Sequence, residues 1–596
     1  MTNPPPLEIE LKLSLPPQQV DAFRRRMARR RCQPVQQDLV TRYFDTPDFA
    51  LSAQGVALRV RRVGRRWLQT LKTEGERCGG LSQRVEHEMP IRRGVPDWSR
   101  FPVEALAYVP EALRDQLVPV FETRFNRTAW LIRGQSGAQI EVALDVGEVL
   151  AGKQSQPICE IELELKAGQP DALFALALDW AGQFDCVPFD ISKAERGVRL
   201  AHGQAATPAR SVPLSLNRDM SVEAGFAAMV QACLTQFQAN LPGALGPLKE
   251  PLAIRLSPQA DKSLVIPIPD ETSKAALNKL VCCVVRQAHH ERNQPLAVRL
   301  EPVEGLVQRF PNHSTKPASG QVAAYPPQAG EGANAEPQPI NDIEYVHQAR
   351  VALRRLRAVL RVFRRACVLP DELMEGLHEL MAALGPARDW DVLCCETLPR
   401  MAAYFSDPVA WQQGLDRLEA QRADIRAAMR SALLQAQPGA WLLACQRWLW
   451  LQGWQQASQA QRPAQLSSLK KWARRALHKG HRSIERSAGE YAQLQMSQRH
   501  ALRIAIKRQR YTAEFFLPLL GGRRQARYLA ALQALQDSMG RSNDARVAWE
   551  LLTQARMHDA AMGQFALGWL AARQAENATD EIVGQLQKLM KSGPDW

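Results

Sequence analysis

The chain lacks any uninterrupted apolar run of about 18 residues, the length that marks a bilayer-spanning helix. Met1 to Glu10 hold no apolar stretch of the kind a secretion signal needs. A membrane-spanning or secreted protein is therefore not expected. The densest apolar segment, 441–454, is broken by Gln446, Arg447 and Gln452 and reads as a buried or amphipathic helix. Eleven cysteines occur without a single C-x-x-C spacing, and Cys282–Cys283 and Cys394–Cys395 are adjacent pairs, poor frames for a metal. An odd number without a secretion signal points to reduced thiols in a cytoplasm, each chiefly a small buried hydrophobe. No P-loop run is present, which excludes a glycine-rich phosphate cradle of that kind.

What is present is length and positive charge. A chain of 596 residues exceeds what one hydrophobic core holds, so at least two domains are expected. With 45% hydrophobic and 23% charged residues the composition is globular. Lys and Arg number 76 against 61 Asp and Glu, a net +15. That excess points to a polyanionic partner without choosing among nucleic acid, polyphosphate and an anionic membrane surface.

Up to about residue 200 apolar and polar residues alternate in short runs: 7–13, 56–61, 67–72, 84–89, 139–145 and 159–166. Alternation of this length predicts strands with one apolar and one polar face. From Ser221 onward the period becomes 3.6 and Ala, Leu, Gln and Arg dominate, which predicts helices. The organisation expected is a strand-rich domain over 1–205, a linker over 206–218, and an all-α domain over 219–596. The stretch of about 246–338 fits neither pattern and reads as a disordered insertion. Parts of it resemble a repetitive DNA element translated in frame, and its His289, His290 and His313 set no ligand geometry.

The polar faces of the strands carry charges of one sign. Glu8, Glu10 and Lys12 share a face; so do Arg59 and Arg61, Glu86 and Glu88, Glu141 and Asp145, and Glu160, Glu162 and Glu164. Like charges about 7 Å apart along a strand repel, and a merely soluble sheet would mix signs. The repulsion disappears if a divalent cation sits between carboxylates and a phosphate between guanidinium groups. Closed into an antiparallel barrel with the charges inward, such strands would hold a metal-bound, linear, strongly anionic substrate.

These residues resemble the CYTH family, the triphosphate tunnel metalloenzymes, across residues 5 to 203. The signature ExExK stands here as Glu8-Ile-Glu-Leu-Lys12. It is followed by Leu58-Arg-Val-Arg61, Thr70-Leu-Lys72, Gly80-Leu-Ser-Gln-Arg-Val-Glu86, Pro157-Ile-Cys-Glu-Ile-Glu-Leu-Glu164 and Ser192-Lys-Ala-Glu-Arg-Gly197. The resemblance implies an eight-stranded tunnel that hydrolyses a triphosphate with Mg²⁺ or Mn²⁺. It makes Glu8, Glu10, Glu162 and Glu164 metal ligands, with Asp145 a further candidate, and puts Glu8, Glu10, Lys12 and Lys72 at the chemistry. Arg59, Arg61, Arg84, Arg127 and Lys193 become, with Lys12 and Lys72, the phosphate grip; Arg124 is the alternative to Arg127, and Glu86 and Glu88 are partners for arginines. Thiamine triphosphatases and adenylate cyclases share these motifs, so the substrate stays open. Since every candidate ligand precedes residue 205, a fragment of 1–205 is expected to keep the activity.

In the helical part His347, Arg350, Arg354, Arg357 and Arg361 fall on one helix face. Between His347 and Arg365 there are seven arginines and no acid, so an external anion or a neighbouring helix must compensate them. The spacing returns 153 residues on, as His500, Arg503, Lys507 and Arg510. Each copy precedes its own Gly/Asp turn, ending in Asp389 and Asp544. This is an internal duplication, expected as two pseudo-symmetric helical bundles over roughly 219–455 and 456–596. Lys470, Lys471, His478, Lys479, His481 and Arg482 are candidates to extend the basic groove. These residues resemble the CHAD family, a helical module associated with polyphosphate. Together the resemblances imply a cytoplasmic enzyme, with polyphosphate granules a further location, that cleaves tripolyphosphate and binds long-chain polyphosphate. A non-catalytic polyphosphate- or RNA-binding protein is the rival, nucleic acid being the less favoured polyanion.

Overall fold

The alternating runs become strands β1 (Leu7–Ser14), β2 (Val35–Asp45), β3 (Val56–Val63), β4 (Arg66–Thr73), β5 (Leu81–Ile91), β6 (Val118–Arg133), β7 (Gln139–Ala151) and β8 (Gln154–Ala167). The structure, a computed structural model, describes residues 7–30, 32–134, 137–246, 342–455, 459–575, 579–591 and 593. Of the expected insertion, 247–338 lies outside the described residues, with its three histidines. Pairing runs β1–β8–β7–β6–β2–β3–β4–β5, and β5 returns to β1, so eight antiparallel strands close into a barrel. Closure removes the sheet edges that an open sheet would expose.

The barrel turns its apolar faces outward and its charges inward. Leu11, Leu13, Ile161, Leu163, Val142 and Leu144 form a buried cluster with Phe23 and Trp180, carried by helices α1 (Val20–Ala28) and α2 (Asp171–Ala181). Register then sets the interior. Glu8 lies opposite Arg84 and Lys12 opposite Glu162; Lys72 faces Glu86, Arg127 faces Asp145, and Asp145 faces Glu160. Directly opposed residues lie about 5 Å apart, within reach of ion pairing. Helix α3 (Lys193–Ala201) starts at the barrel interior: Ser192 Oγ accepts from the Glu195 N–H at 3.1 Å, the Ser-x-x-Glu start that fixes Lys193 as its first residue.

The helical part is built of α4 (Val222–Leu245), α5 (Asp342–Phe363), α6 (Asp371–Val392), α7 (Pro408–Gln435), α8 (Pro438–Trp450), α9 (Leu469–Ala488), α10 (Met496–Leu520), α11 (Arg523–Gln554), α12 (Ala561–Ala575) and α13 (Thr579–Lys591). The duplication shows in the packing order: α4, α5, α6 and α7 pack in sequence, and so do α9, α10, α11 and α12. The two halves interlock through one apolar core, where Phe226 and Phe363 meet Phe516 and Tyr528. Against the barrel side, Leu443 of α8 is fully buried in the barrel's own outer cluster. Arg447 donates to both oxygens of Asp171 at 2.6 and 2.9 Å.

Candidate active site

The barrel encloses a cavity of about 570 Å³. Glu8, Glu10, Lys12, Arg59, Arg61, Lys72, Arg84, Arg127, Glu162, Glu164 and Lys193 all line it. Asp145 does not: it is fully buried behind them. Arg124, the alternative to Arg127, is 62% exposed and pairs with Glu122 outside the cavity. Among the described side chains nine acidic and nine basic ones line the space, so their charges offset one another. An incoming polyanion must displace carboxylates from their cations or arrive with cations of its own.

The pairs form chains. Lys72 Nζ reaches both oxygens of Glu8 at 2.9 Å and Glu86 at 3.0 Å. Arg84 donates to Glu8 at 2.9 Å and also to Glu10, and Lys12 lies 3.0 Å from Glu10 and 3.4 Å from Glu162. Burial disfavours the Glu8 carboxylate, but Lys72 and Arg84 outweigh it and hold the group well below the usual range. Glu164 stands nearer the rim with Lys166 at 2.6 Å. Arg59 meets Glu86 at 3.4 Å and Glu88 at 4.0 Å, the partners expected of it.

Deeper in, Asp145, Glu160 and Glu162 bring their oxygens within 4.8 Å of one another. Lys193 binds all three, with Asp145 at 2.6 Å and Glu162 at 3.0 Å. The cluster thus cages an ammonium of the protein's own. Asp145 also takes a two-pronged bond from Arg127 at 2.8 and 2.7 Å, so it anchors cations. Glu160 receives Arg196 as well, at 3.0 Å. Glu160 and Arg196 carried no role in the sequence reading. Arg196 sits one turn after Lys193, a spacing that could have revealed it.

Arg61 differs from its neighbours. It is buried, its Nε donates to Thr41 Oγ1 at 3.0 Å, and no carboxylate among the described residues lies within ion-pair distance. Burial, then Arg59 and Arg127, depress its guanidinium. A cation crowded by like charge is where an anion is most strongly attracted. Beneath it the Phe125 ring lies 5.8 Å from the Arg61 and Arg127 guanidinium carbons and 5.0 Å from Lys193 Nζ.

In the helical part α5 and α10 meet. Arg354 donates to Tyr511 Oη at 2.7 Å, and Arg350 reaches the Met381 carbonyl at 3.4 Å. Burial, then Arg503 and Arg354, push the Lys507 ammonium down to about 7, with Asp544 the acid opposing them. Burial and then Arg388 push His347 down, favouring its neutral ring. Arg357 and His500 are exposed. One candidate has an acidic partner on its own helix, and one sequence expectation needs correction. Arg510 is neutralised on its own helix by Glu514, one turn on, and bonds Gln536 at 2.8 Å. His481 is a core residue bonded to Tyr528 Oη at 3.0 Å, so it does not extend a groove.

Two regions of the chain are similar to known proteins. Residues 6–197 match the family model of the CYTH domain and residues 333–553 that of the CHAD domain. The chain joins a CYTH domain to a CHAD domain. Over 206 residues it is 36% identical to a Haemophilus influenzae protein named inorganic triphosphatase, a match spanning 34% of this chain and 56% of that relative. Among solved structures, the CHAD domain of the plant Ricinus communis shares 24% identity at a TM-score of 0.41, covering 64% of this chain and 97% of that one. A Hippeastrum protein described as an adenylyl cyclase with a dominant triphosphatase activity shares 19% at a TM-score of 0.26, covering 33% and 97%.

The donor set of the CYTH cavity suits a hard divalent ion. Glu8, Glu10, Glu162 and Glu164 offer carboxylate oxygens only, and among the described side chains no His or Cys lines the space.

Proposed function

We propose that the CYTH domain hydrolyses tripolyphosphate to pyrophosphate and phosphate with Mg²⁺ or Mn²⁺, and that the CHAD domain binds long-chain polyphosphate. The observation that carries the first half is the barrel cavity lined by nine acids and nine bases among the described side chains, with Arg61 left without a carboxylate among the described residues. The second half is supported by the like-charged Arg350, Arg354, Arg503 and Lys507 on facing helices, with Asp544 beside Arg503 and Lys507. The division of labour follows the expected boundaries, 1–205 and 219–596. Among the described residues, a cytoplasmic site fits both the eight cysteines, all free, and the absence of a helix long and apolar enough to cross a membrane.

A divalent ion held by Glu8, Glu10, Glu162 and Glu164 would supply charge neutralisation and polarise a phosphoryl oxygen. The chain's own residues do the rest. Arg61 takes phosphate oxygens directly, and Lys12, Arg59 and Arg84 take them as their carboxylate partners turn away. Arg127 and Lys193, tied to Asp145, form a fixed positive wall that needs no rearrangement as charge develops on the departing pyrophosphate. Lys72, between Glu8 and Glu86, is placed to orient the attacking water. Burial, then Arg84 and Arg59, lower its ammonium, which eases proton movement there.

The test is product analysis with tripolyphosphate, ATP and thiamine triphosphate, with and without Mg²⁺ or Mn²⁺. Metal-dependent release of phosphate and pyrophosphate from tripolyphosphate, faster than cleavage of the other two, is the expected result. Cyclic AMP from ATP would make it a cyclase. Tight tripolyphosphate binding without turnover would leave a non-catalytic binder.

A further inference from the structure

A short strap, residues 187–193, runs between the two domains and touches both. Val187 is buried in the apolar core of the CHAD helices. The Phe189 N–H donates to the Lys12 carbonyl at 2.9 Å. Asp190 spends one carboxylate oxygen on the Gly80 N–H at 2.6 Å and the other on Gln238 Nε2 of α4 at 2.7 Å. Gly80 in turn accepts the Lys12 N–H at 2.9 Å. Two residues beyond Asp190, Ser192 begins the helix that delivers Lys193 to its carboxylate cage.

The Gly79–Gly80 turn is held from a second side. Both glycines have positive φ, and a Cβ on Gly79 would lie 2.1 Å from the Gln446 side chain of α8. Leu81, Ser82 and Arg84 follow this turn directly, so its placement sets where Arg84 meets Glu8 and Glu10. Gln238 is buried, and its Oε1 has no hydrogen-bond partner among the described residues. Its bond to Asp190 is thus the polar bond this buried amide makes.

We propose that Asp190, held by Gln238 of the CHAD domain, is a positioning residue for Lys12 and Lys193, so that the CHAD domain sets the geometry of the CYTH chamber. This rests on the triphosphatase reading, and neither side chain lines the barrel cavity. The coupling is local: one amide, one carboxylate and one glycine turn join a CHAD helix to strand β1.

The test uses the full chain carrying Gln238→Leu, Gln238→Asn, Asp190→Ala or Asp190→Asn. Hydrogen exchange at the Lys12 and Gly80 amides reads the link itself. Turnover of tripolyphosphate with Mg²⁺ reads its consequence. Gln238→Leu and Asp190→Ala should speed exchange at both amides and lower kcat about 10-fold, with KM changed less than about 3-fold. Gln238→Asn, shorter by one methylene, should act in the same direction with less disturbance of the core if Gln238→Leu folds poorly. Asp190→Asn should recover most of kcat, because its carbonyl still accepts from Gly80 and a flipped Gln238 can offer its spare Oε1 to the new amide. A merely structural role would make Asp190→Asn and Asp190→Ala follow melting temperature alone. Unchanged exchange in Gln238→Leu and Gln238→Asn overturns the proposal. If the wild-type chain cleaves no tripolyphosphate, the functional reading falls separately, and the exchange data still decide the positioning.

Discussion

Replacing Lys193 by Met removes the ammonium from its three carboxylates while keeping the bulk of the side chain. Losing one partner of a buried ion pair costs about 3–5 kcal/mol. The lower end applies here because each carboxylate keeps another cation: Asp145 keeps Arg127, Glu160 keeps Arg196, and Glu162 keeps Lys12. For a domain of this size each kcal/mol moves Tm by about 2–4 °C, so a loss of about 3 kcal/mol lowers the barrel's Tm by about 6–12 °C.

The pH dependence separates electrostatics from packing. Against the cost of burial, Lys193 and Arg127 hold Asp145, and Lys193 and Lys12 hold Glu162, below the usual carboxylate values. Their pairing therefore stabilises the wild type above the ordinary carboxylate range and is lost as pH falls through the lowered values. In Lys193→Met the less compensated carboxylates rise, and their protonation relieves the strain as pH falls. The Tm deficit should be largest near pH 7 and shrink toward about pH 5. The emptied cage, with oxygens within 4.8 Å, should also accept a divalent ion, so Mn²⁺ should raise the variant's Tm more than the wild type's. Differential scanning calorimetry across pH, with and without Mn²⁺, measures both effects. A deficit constant from pH 5 to 8 and blind to Mn²⁺ would show that Lys193 matters through packing, and the cage argument would fail.

Glu10→Gln and Glu162→Gln each remove a metal-ligand charge from the cavity and should lower tripolyphosphate turnover about 100-fold in a steady-state assay; near-normal metal-dependent rates would remove them from the site. Replacing 247–341 by a short linker should leave turnover and Tm nearly unchanged, because Gly243 and Tyr345, near its two ends, already touch; a fall of more than about 5 °C by calorimetry refutes the insertion reading. Lys507, lowered to about 7, sheds its proton in the free chain as pH rises through that value, and a bound polyanion restores it. Polyphosphate binding should thus take up a proton between about pH 7 and 10 and weaken as pH rises, by calorimetry in buffers of different ionisation enthalpy; Lys507→Met should abolish the uptake, and uptake that survives refutes the assignment.

The alternating runs made the strands legible, and the like-charged faces made the cavity legible before any pairing was known. Neighbour order was not. Arg127 opposite Asp145, or Lys12 opposite Glu162, depends on which strands meet and in what register, and both are set by long-range closure of the ring. Glu160 was visible on the face it shares with Glu162. Its role appears only when α3 brings Lys193 and Arg196 across the barrel. The helical duplication was equally plain, yet identical spacing did not mean identical environments. Arg510 meets Glu514 one turn later, a pairing local to the sequence and hidden by reading the stripe as cations alone.

The hardest thing to read was the packing between the two domains. A composition break near residue 205 suggests a cut there, and every candidate ligand does precede it. The packing crosses that line. Leu443 completes the barrel's outer cluster, and its removal alone exposes a site worth about 1.5–3 kcal/mol of apolar burial. Val187 runs the other way, into the CHAD core, and Asp171 would lose Arg447. Asp190 would keep Gly80 but lose Gln238, leaving the turn beside Lys12 supported from one side. A fragment ending at 205 keeps the chemical groups and loses part of what holds them in place. Its residual activity thus measures how much of the chamber's geometry the barrel sets by itself.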